Sequence, residues 1–244
     1  MFRFIRFHWL LRSITLVVAC LLPGIVLAAA PAFLPEFSAT YSIHYGVLRG
    51  TMTLDLERRD ESYSYQTSLR PRGVASWLRR GEIRETSSLV TSGNGVRPLD
   101  YVSVDTIARP NRHTNYAFDR PLGHVSGEYK DQKVDVPMRA GGHNRISVQI
   151  AIMHALQSNT ELSEFAVFDR GRWRNFQFEI IRGQFVETPY GDFETVEVRY
   201  SSAESNKSWS LHCAAALNYV PVMIIFREDG KTKSRAELTE YGQD

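Results

Sequence analysis

The chain has 244 residues and is almost balanced in charge, with 29 Lys and Arg against 27 Asp and Glu. Setting aside the three arginines of residues 1–28, which hold no acid, leaves 26 basic against 27 acidic residues, a balance that argues against nucleic acid as a partner. The two cysteines, Cys20 and Cys213, provide no disulfide framework on which a fold could rest.

The first residues read as an export signal. Arg3, Arg6 and Arg12 form a basic start, an apolar run extends from Ile14 to Leu27, and Ala28, Ala29 and Ala30 offer a cleavage site, which is expected after Ala28. At about fourteen residues the apolar run is shorter than a bilayer-spanning helix. The sequence therefore predicts a signal peptide over 1–28 and a periplasmic domain over 29–244. Lipidation at Cys20 is the minor alternative, disfavoured because the chain stays apolar from Leu21 to Leu27. Cys213 is then the single remaining thiol, and its phase with Trp209 and Leu211 predicts burial.

Beyond the signal, alternation with a period of two dominates. Phe37, Ala39, Tyr41, Ile43 and Tyr45 alternate with polar residues, as do Met52, Leu54 and Leu56, and then Tyr63, Tyr65 and Thr67. These are three strands of a meander, the first two joined by the turn from Gly46 to Gly50. Pro71 to Gly81 interrupts the pattern as a helical turn or ordered loop. Strands resume from Glu82 to Val90 and after Pro98, and a hairpin turns at Asp119 to Gly123. Val134 and Val136 mark a short strand.

One helix is expected, at about residues 145–157. Asn144 is its N-cap, and Ile146, Ile150, Met153 and Leu156 form an apolar stripe suited to covering one side or end of the sheet. Strands return at Phe165 to Phe168 and at Phe176, Phe178 and Ile180, with turns expected at Gly183 and at Gly191-Asp192. Trp209 to Cys213, Val220 to Phe226 and Arg235 to Thr239 complete the series, and Asp229-Gly230 supplies a tight hairpin. The fold class is mainly β: a single curled antiparallel or β-barrel-like domain of about a dozen strands with one main helix.

Several motifs together resemble a family. They are Tyr41 to Gly50, Gly95-Val-Arg-Pro98-Leu-Asp-Tyr101, the mid-chain helix, Thr188-Pro-Tyr-Gly191, and the run Trp209…Tyr219-Val-Pro221-Val…Asp229-Gly230…Leu238. The chain is identified by them as similar to Domain of Unknown Function family 3108. That resemblance implies a β-rich exported domain with a YmcC-like fold and carries no catalytic residues with it. Asn144-Arg-Ile-Ser147 stands where the family pattern opens its helix with Asp.

Nucleophile and metal signatures are absent from the sequence: it has no Gly-x-Ser-x-Gly, His-Glu-x-x-His or Cys-x-x-Cys. No catalytic residue, metal or cofactor is assigned. Gly141-Gly142-His143-Asn144 before the helix is a weak anion-binding candidate. The main candidate is an arginine cluster, Arg70, Arg72, Arg79, Arg80 and Arg84 around Trp77, whose planar guanidinium groups suit phosphate or carboxylate and whose indole suits a lipid surface. Arg170, Arg172 and Arg174 around Trp173 repeat the composition. If both groups lie at one rim, they frame an opening to the barrel.

These observations favour a non-enzymatic envelope protein that binds a lipid-like or other apolar or anionic ligand in or at a barrel groove, with contact to a membrane surface. An assembly or scaffold module binding protein partners is the alternative, and a glycan-acting hydrolase a more distant one.

Overall fold

The computed structural model describes residues 34–78, 80–92, 95–162 and 164–243. The chain separates into two units, Met1–Ala30 and Pro31–Asp244, and the expected signal segment with Cys20 lies outside the described residues.

The second unit opens with the expected meander, β1 (Phe37–Tyr45), β2 (Leu48–Arg59) and β3 (Ser62–Arg72). A short helix α1 (Val74–Leu78) follows, then β4 (Ile83–Ser92), β5 (Gly95–Pro98), β6 (Asp100–Asp105) and β7 (Arg112–Asp119). Next come β8 (His124–Tyr129), β9 (Gln132–Pro137), β10 (His143–Asn144) and the main helix α2 (Ser147–Gln157). The chain ends with β11 (Glu164–Asp169), β12 (Arg172–Thr188), β13 (Gly191–Ser201), β14 (Lys207–Ala214), β15 (Val220–Glu228) and β16 (Lys231–Gly242). The expected dozen strands become 16 among the described residues, partly because β5 and β10 have only four and two residues, too few to show alternation.

All strands join one sheet, in the order β10-β11-β12-β13-β14-β15-β16-β1-β2-β3-β4-β6-β7-β8-β9, with β5 beside β4. The last strand pairs with the first, Ile43 opposite Ala236, so the two ends of the domain meet in mid-sheet. The Asp229-Gly230 hairpin is as expected, with φ of 52° and 71° at its two residues, the signature of a tight turn that matches strand twist. Gly183 differs from expectation. Instead of turning the chain it sits in a bulge of the 17-residue β12, where Ile181 faces Glu197 and Gln184 faces Thr195. One extra residue is absorbed there and both flanks stay paired with β13.

Inward-facing residues of β1 to β3 such as Tyr41, Leu54 and Tyr65 are buried, while Ser38 and Asp55 bond to each other on the outer face at 2.6 Å. A polar outside around an apolar inside is the reverse of a membrane-spanning barrel. The helix lies in this apolar interior. Its Ile146, Ile150 and Met153 pack with Tyr41, Leu54 and Tyr65, as the stripe predicts. Val148, Ile152 and Leu156 are buried too, against Val198, Leu211 and Cys213. The helix is thus covered on two faces, because the sheet wraps around it.

The edge strands β9 and β10 do not pair with each other. Side chains close the gap instead. Trp173 Nε1 donates to the Pro137 carbonyl at 2.9 Å, Gly171 N–H to the Tyr116 hydroxyl at 3.0 Å, and Arg139 Nη1 to Asn175 Oδ1 at 2.8 Å. Phe168 meets Tyr116 and Trp173 edge-on, at 4.8 and 5.0 Å between ring centres. Gly142 lies so close that a Cβ there would stand 2.3 Å from the Trp173 ring, which excludes any side chain.

The N-cap position of α2 is Ile146, which has no side-chain cap bond, and not the expected Asn144; the helix entry is held from two residues earlier by Asn144. Its Oδ1 accepts the N–H groups of Ile146 at 3.1 Å and Ser147 at 2.8 Å, and its Nδ2 donates to Ser87 Oγ at 2.8 Å and to the Asp100 carbonyl at 3.2 Å. A single fully buried amide therefore starts the helix and fixes it to β4 and β6. Asn144→Ala is expected to cost about 2–4 kcal/mol, read as a lower denaturation midpoint in urea.

His143, next to it, is buried against Phe165 with its ring centre 4.9 Å away, and its Nδ1 has no partner. Burial, with the charge of Arg120 adding to it, lowers its pKa from 6.5 to about 4. The folded state resists protonation, so the stability this neutral ring provides is present above pH 6.5 and falls as pH drops from 6.5 toward 4. A shift of that size is worth roughly 3 kcal/mol. The melting temperature should fall over this interval, and His143→Phe should flatten the part of the profile due to this ring, as differential scanning fluorimetry would show.

Candidate functional site

The inward phase of β4 runs Ile83, Glu85, Ser87, Leu89, and Glu85, Ser87 and Leu89 are all buried. An acid in that phase needs a partner. Glu85 has three: the Tyr101 hydroxyl from β6 donates to Oε1, Arg145 Nε lies 3.1 Å from the same oxygen, and Thr67 Oγ1 is 3.5 Å from Oε2. Burial first, and then the Glu85 charge, raises Tyr101 well above its ordinary pKa, so it remains a donor. The carboxylate holds Arg145 protonated, outweighing desolvation.

Arg145 is the distinctive group. It sits deep in the fold between β10 and α2, yet half of its side-chain surface faces open space. That space is an interior cavity of about 440 Å³. Its floor is the start of α2, with Ile146, Val148 and Gln149. Leu54, Phe176, Trp209 and Phe226 contribute apolar wall. Arg170 and Arg174 line it as well, with Asp169 3.7 Å from Arg170. Arg174 Nε is buried without a hydrogen-bond partner. The cavity therefore pairs greasy walls with guanidinium donors left over after internal pairing.

The antiparallel order fixes which turns share an end. The β1–β2, β3–β4, β6–β7, β8–β9, β11–β12, β13–β14 and β15–β16 connections all lie at one end of the sheet. Ser205 of the β13–β14 connection, Lys207 at the start of β14 and Arg170 of the β11–β12 turn line the cavity, so it reaches that end. The described members of both arginine groups flagged by the sequence lie in connections of this rim or in the strand ends beside them. Arg70 and Arg84 converge on Glu82, at 2.7 and 2.8 Å; the Arg70 bond foremost lowers the pKa of that carboxyl. Arg72 and Arg80 are exposed and form no ion pair among the described residues, and Trp77 is 89% exposed. Arg79 lies outside the described residues.

Other cysteine, histidine and glycine groups are placed as follows. Cys213 is fully buried and unpaired, and burial raises its thiol pKa, which makes it inert. His124 pairs with Asp135 at 2.7 Å, while His113 lies opposite Val104, well along the ladder from it. No group of three metal-ligating side chains occurs among the described residues. The Gly141-Gly142 segment packs against Trp173, and no ligand-directed group is evident there.

A family model described as protein of unknown function (DUF3108) matches residues 40–237. No curated protein matches the sequence. Among solved structures, a β-barrel-like protein of domain of unknown function DUF1849 from Brucella abortus has a TM-score of 0.58 at 9% identity, over 87% of this chain and 99% of that one. This likeness is one of fold. A Bacteroides fragilis protein described as having a YmcC-like fold aligns over 87% of this chain and all of its own, at 11% identity and a TM-score of 0.35. The family match spans most of the chain, and the protein belongs to the DUF3108 family of proteins of unknown function.

Proposed function

We propose that this is an exported cell-envelope protein that binds one anionic amphiphile in its lumen and performs no chemistry on it. The acyl part lies along the apolar walls, and the acidic head meets Arg145, Arg174 and Arg170. The observation that carries this reading is Arg145: a guanidinium deep in the fold with half of its surface facing a mainly apolar cavity. Thr67, Ser68, Gln149 and Asp169 suit water, whereas the walls of Leu54, Phe176 and Phe226 offer it no partners and suit an apolar chain. The cavity volume falls in the range of small-molecule sites. Glu85 suits the role of fixed counter-ion, since Tyr101 and Arg145 both engage it and leave it poorly placed to move protons. Export is supported by the basic, apolar and small-residue order of residues 1–30.

Organic extraction of natively purified protein followed by mass spectrometry should release an acidic lipid or fatty acid. A fluorescent fatty acid should bind the delipidated protein, and Arg174→Gln should weaken it about tenfold, the loss of one charge-assisted hydrogen bond. Ala236→Phe, which fills the lumen from β16, should abolish binding while the melting transition stays cooperative. No released lipid together with no probe binding would overturn the proposal.

A further inference from the structure

Two adjacent connections at the open end carry apolar side chains that the fold does not use. Arg49 at the start of β2 faces Arg72 at the end of β3, so the β1–β2 turn and the β3–β4 connection stand side by side. The first exposes Val47 at 96%, together with Tyr45 and Leu48; the second exposes Trp77 at 89% and Val74 at 77%. Turn geometry does not require them. A two-residue hairpin asks for Gly, Asn or Asp, and Gly46 with its φ of 57° already meets the need for a positive angle. Five large apolar residues held in water on neighbouring loops mark a contact surface.

The charge beside them selects the partner. Arg49, Arg72 and Arg80 are exposed and form no ion pair among the described residues. The acid nearest in sequence on these two connections, Glu82, is occupied by Arg70 and Arg84. Elsewhere the rim is mixed, with Arg109, Arg112, Arg172, Lys231 and Lys233 beside Asp105, Asp131, Glu204, Glu228 and Asp229, so the excess of base is local to the two apolar connections. The opposite end also exposes Leu122 and Tyr190. However, Glu187 and Asp192 flank Tyr190, Leu122 shares its turn with one acid and one base, Asp119 and Arg120, and Asp60 and Glu61 stand beside Arg58 and Arg59, so no excess of base accompanies the apolar residues there. Apolar tips in a basic setting fit the surface of an anionic bilayer, where the tips enter the headgroup layer and the arginines meet phosphate. A protein partner would instead be expected to present a shaped, acidic counter-surface, and two narrow loop tips offer little area for one.

We infer that the protein docks on anionic membranes through this rim, with Val47, Val74 and Trp77 inserted and Arg49, Arg72 and Arg80 on the headgroups. Docking there turns the end reached by the cavity toward the lipid. The inference rests on the rim alone and stands whether or not the lumen holds a ligand.

Co-sedimentation of the purified protein with vesicles of phosphatidylcholine alone and of phosphatidylcholine with phosphatidylglycerol tests it. The anionic vesicles should bind the protein more tightly, and added salt should weaken that binding. Val47→Ser combined with Trp77→Ser should reduce it by at least tenfold. The triple change Arg49→Gln, Arg72→Gln, Arg80→Gln should remove the preference for anionic lipid. Leu122→Ser at the far end should leave vesicle binding unchanged. All these positions are exposed, and melting curves of the variants establish that they remain folded. Absence of vesicle binding, equal binding by the rim variants, or an equal loss with Leu122→Ser would overturn the inference. Normal vesicle binding without any fatty-acid binding would sink the lumen proposal and leave this one standing.

Discussion

The whole domain depends on burying a helix inside a sheet that does not close. A 16-stranded sheet that met edge to edge would satisfy its backbone by hydrogen bonds all the way round. Here β9 and β10 remain apart, so the interior must be filled and the seam held by side chains. Val148, Ile150, Ile152, Met153 and Leu156 of α2 are all buried, and each such side chain contributes about 1.5–3 kcal/mol. That sum is large enough to offset the costs of placing polar groups beside them, including Asn144 and His143. Without α2 the curl would enclose a void; without the curl α2 would expose apolar residues on two faces.

The same helix explains why the interior is only partly filled. Its first turn forms the floor of the cavity, and the space above it stays open toward the rim. Asn144 and Arg145, one residue apart, divide the work at this boundary. Asn144 turns inward and satisfies the backbone of the helix start. Arg145 faces the lumen, held by Glu85. An ion pair in such surroundings adds little net stability, since desolvation consumes most of the attraction. What it does achieve is placement: the remaining guanidinium donors are aimed into a low-dielectric space where they act strongly on any anion that enters.

The fold was legible in the sequence wherever one face of a strand is wet. The meander from Phe37 to Thr67 and the hairpin at Asp229-Gly230 follow from alternation and turn chemistry alone. Short pieces such as β5 and β10 could not be seen, because two to four residues hold no period. Gly183 was misleading, since a positive φ serves a bulge as well as a turn. The helix was located correctly, but one apolar stripe was expected where two faces are buried: Val148 and Ile152 form a second face, and Leu156, counted in the expected stripe, packs with them. The lumen was half legible. Glu85 in phase with Ile83, Ser87 and Leu89 was a signal that an inward cation must exist, although nothing local named Arg145 as that cation. Its partner lies sixty residues away and is brought to it by the curl.

Charged residues alone do not mark the site, as the outer face of β13 and β14 shows. Glu197 stands opposite His212, and Arg199 opposite Ser210. Arg199 holds both oxygens of Glu197, at 2.7 and 3.0 Å, and Ser210 accepts from Arg227 at 2.7 Å. The serine answers to the carboxylate and the second arginine, and the imidazole stays 4.0 Å from Glu197, so no nucleophile is activated there. The groups bond chiefly to one another across strands, and cross-strand pairs of this kind fix register. Arg145 and Arg174 differ in lining the cavity: Arg145 is paired through Nε with Glu85, and Arg174 Nε has no hydrogen-bond partner. A buried cation with spare donors costs stability that a self-satisfied pair does not, and an anion inside the lumen is the partner that would recover it.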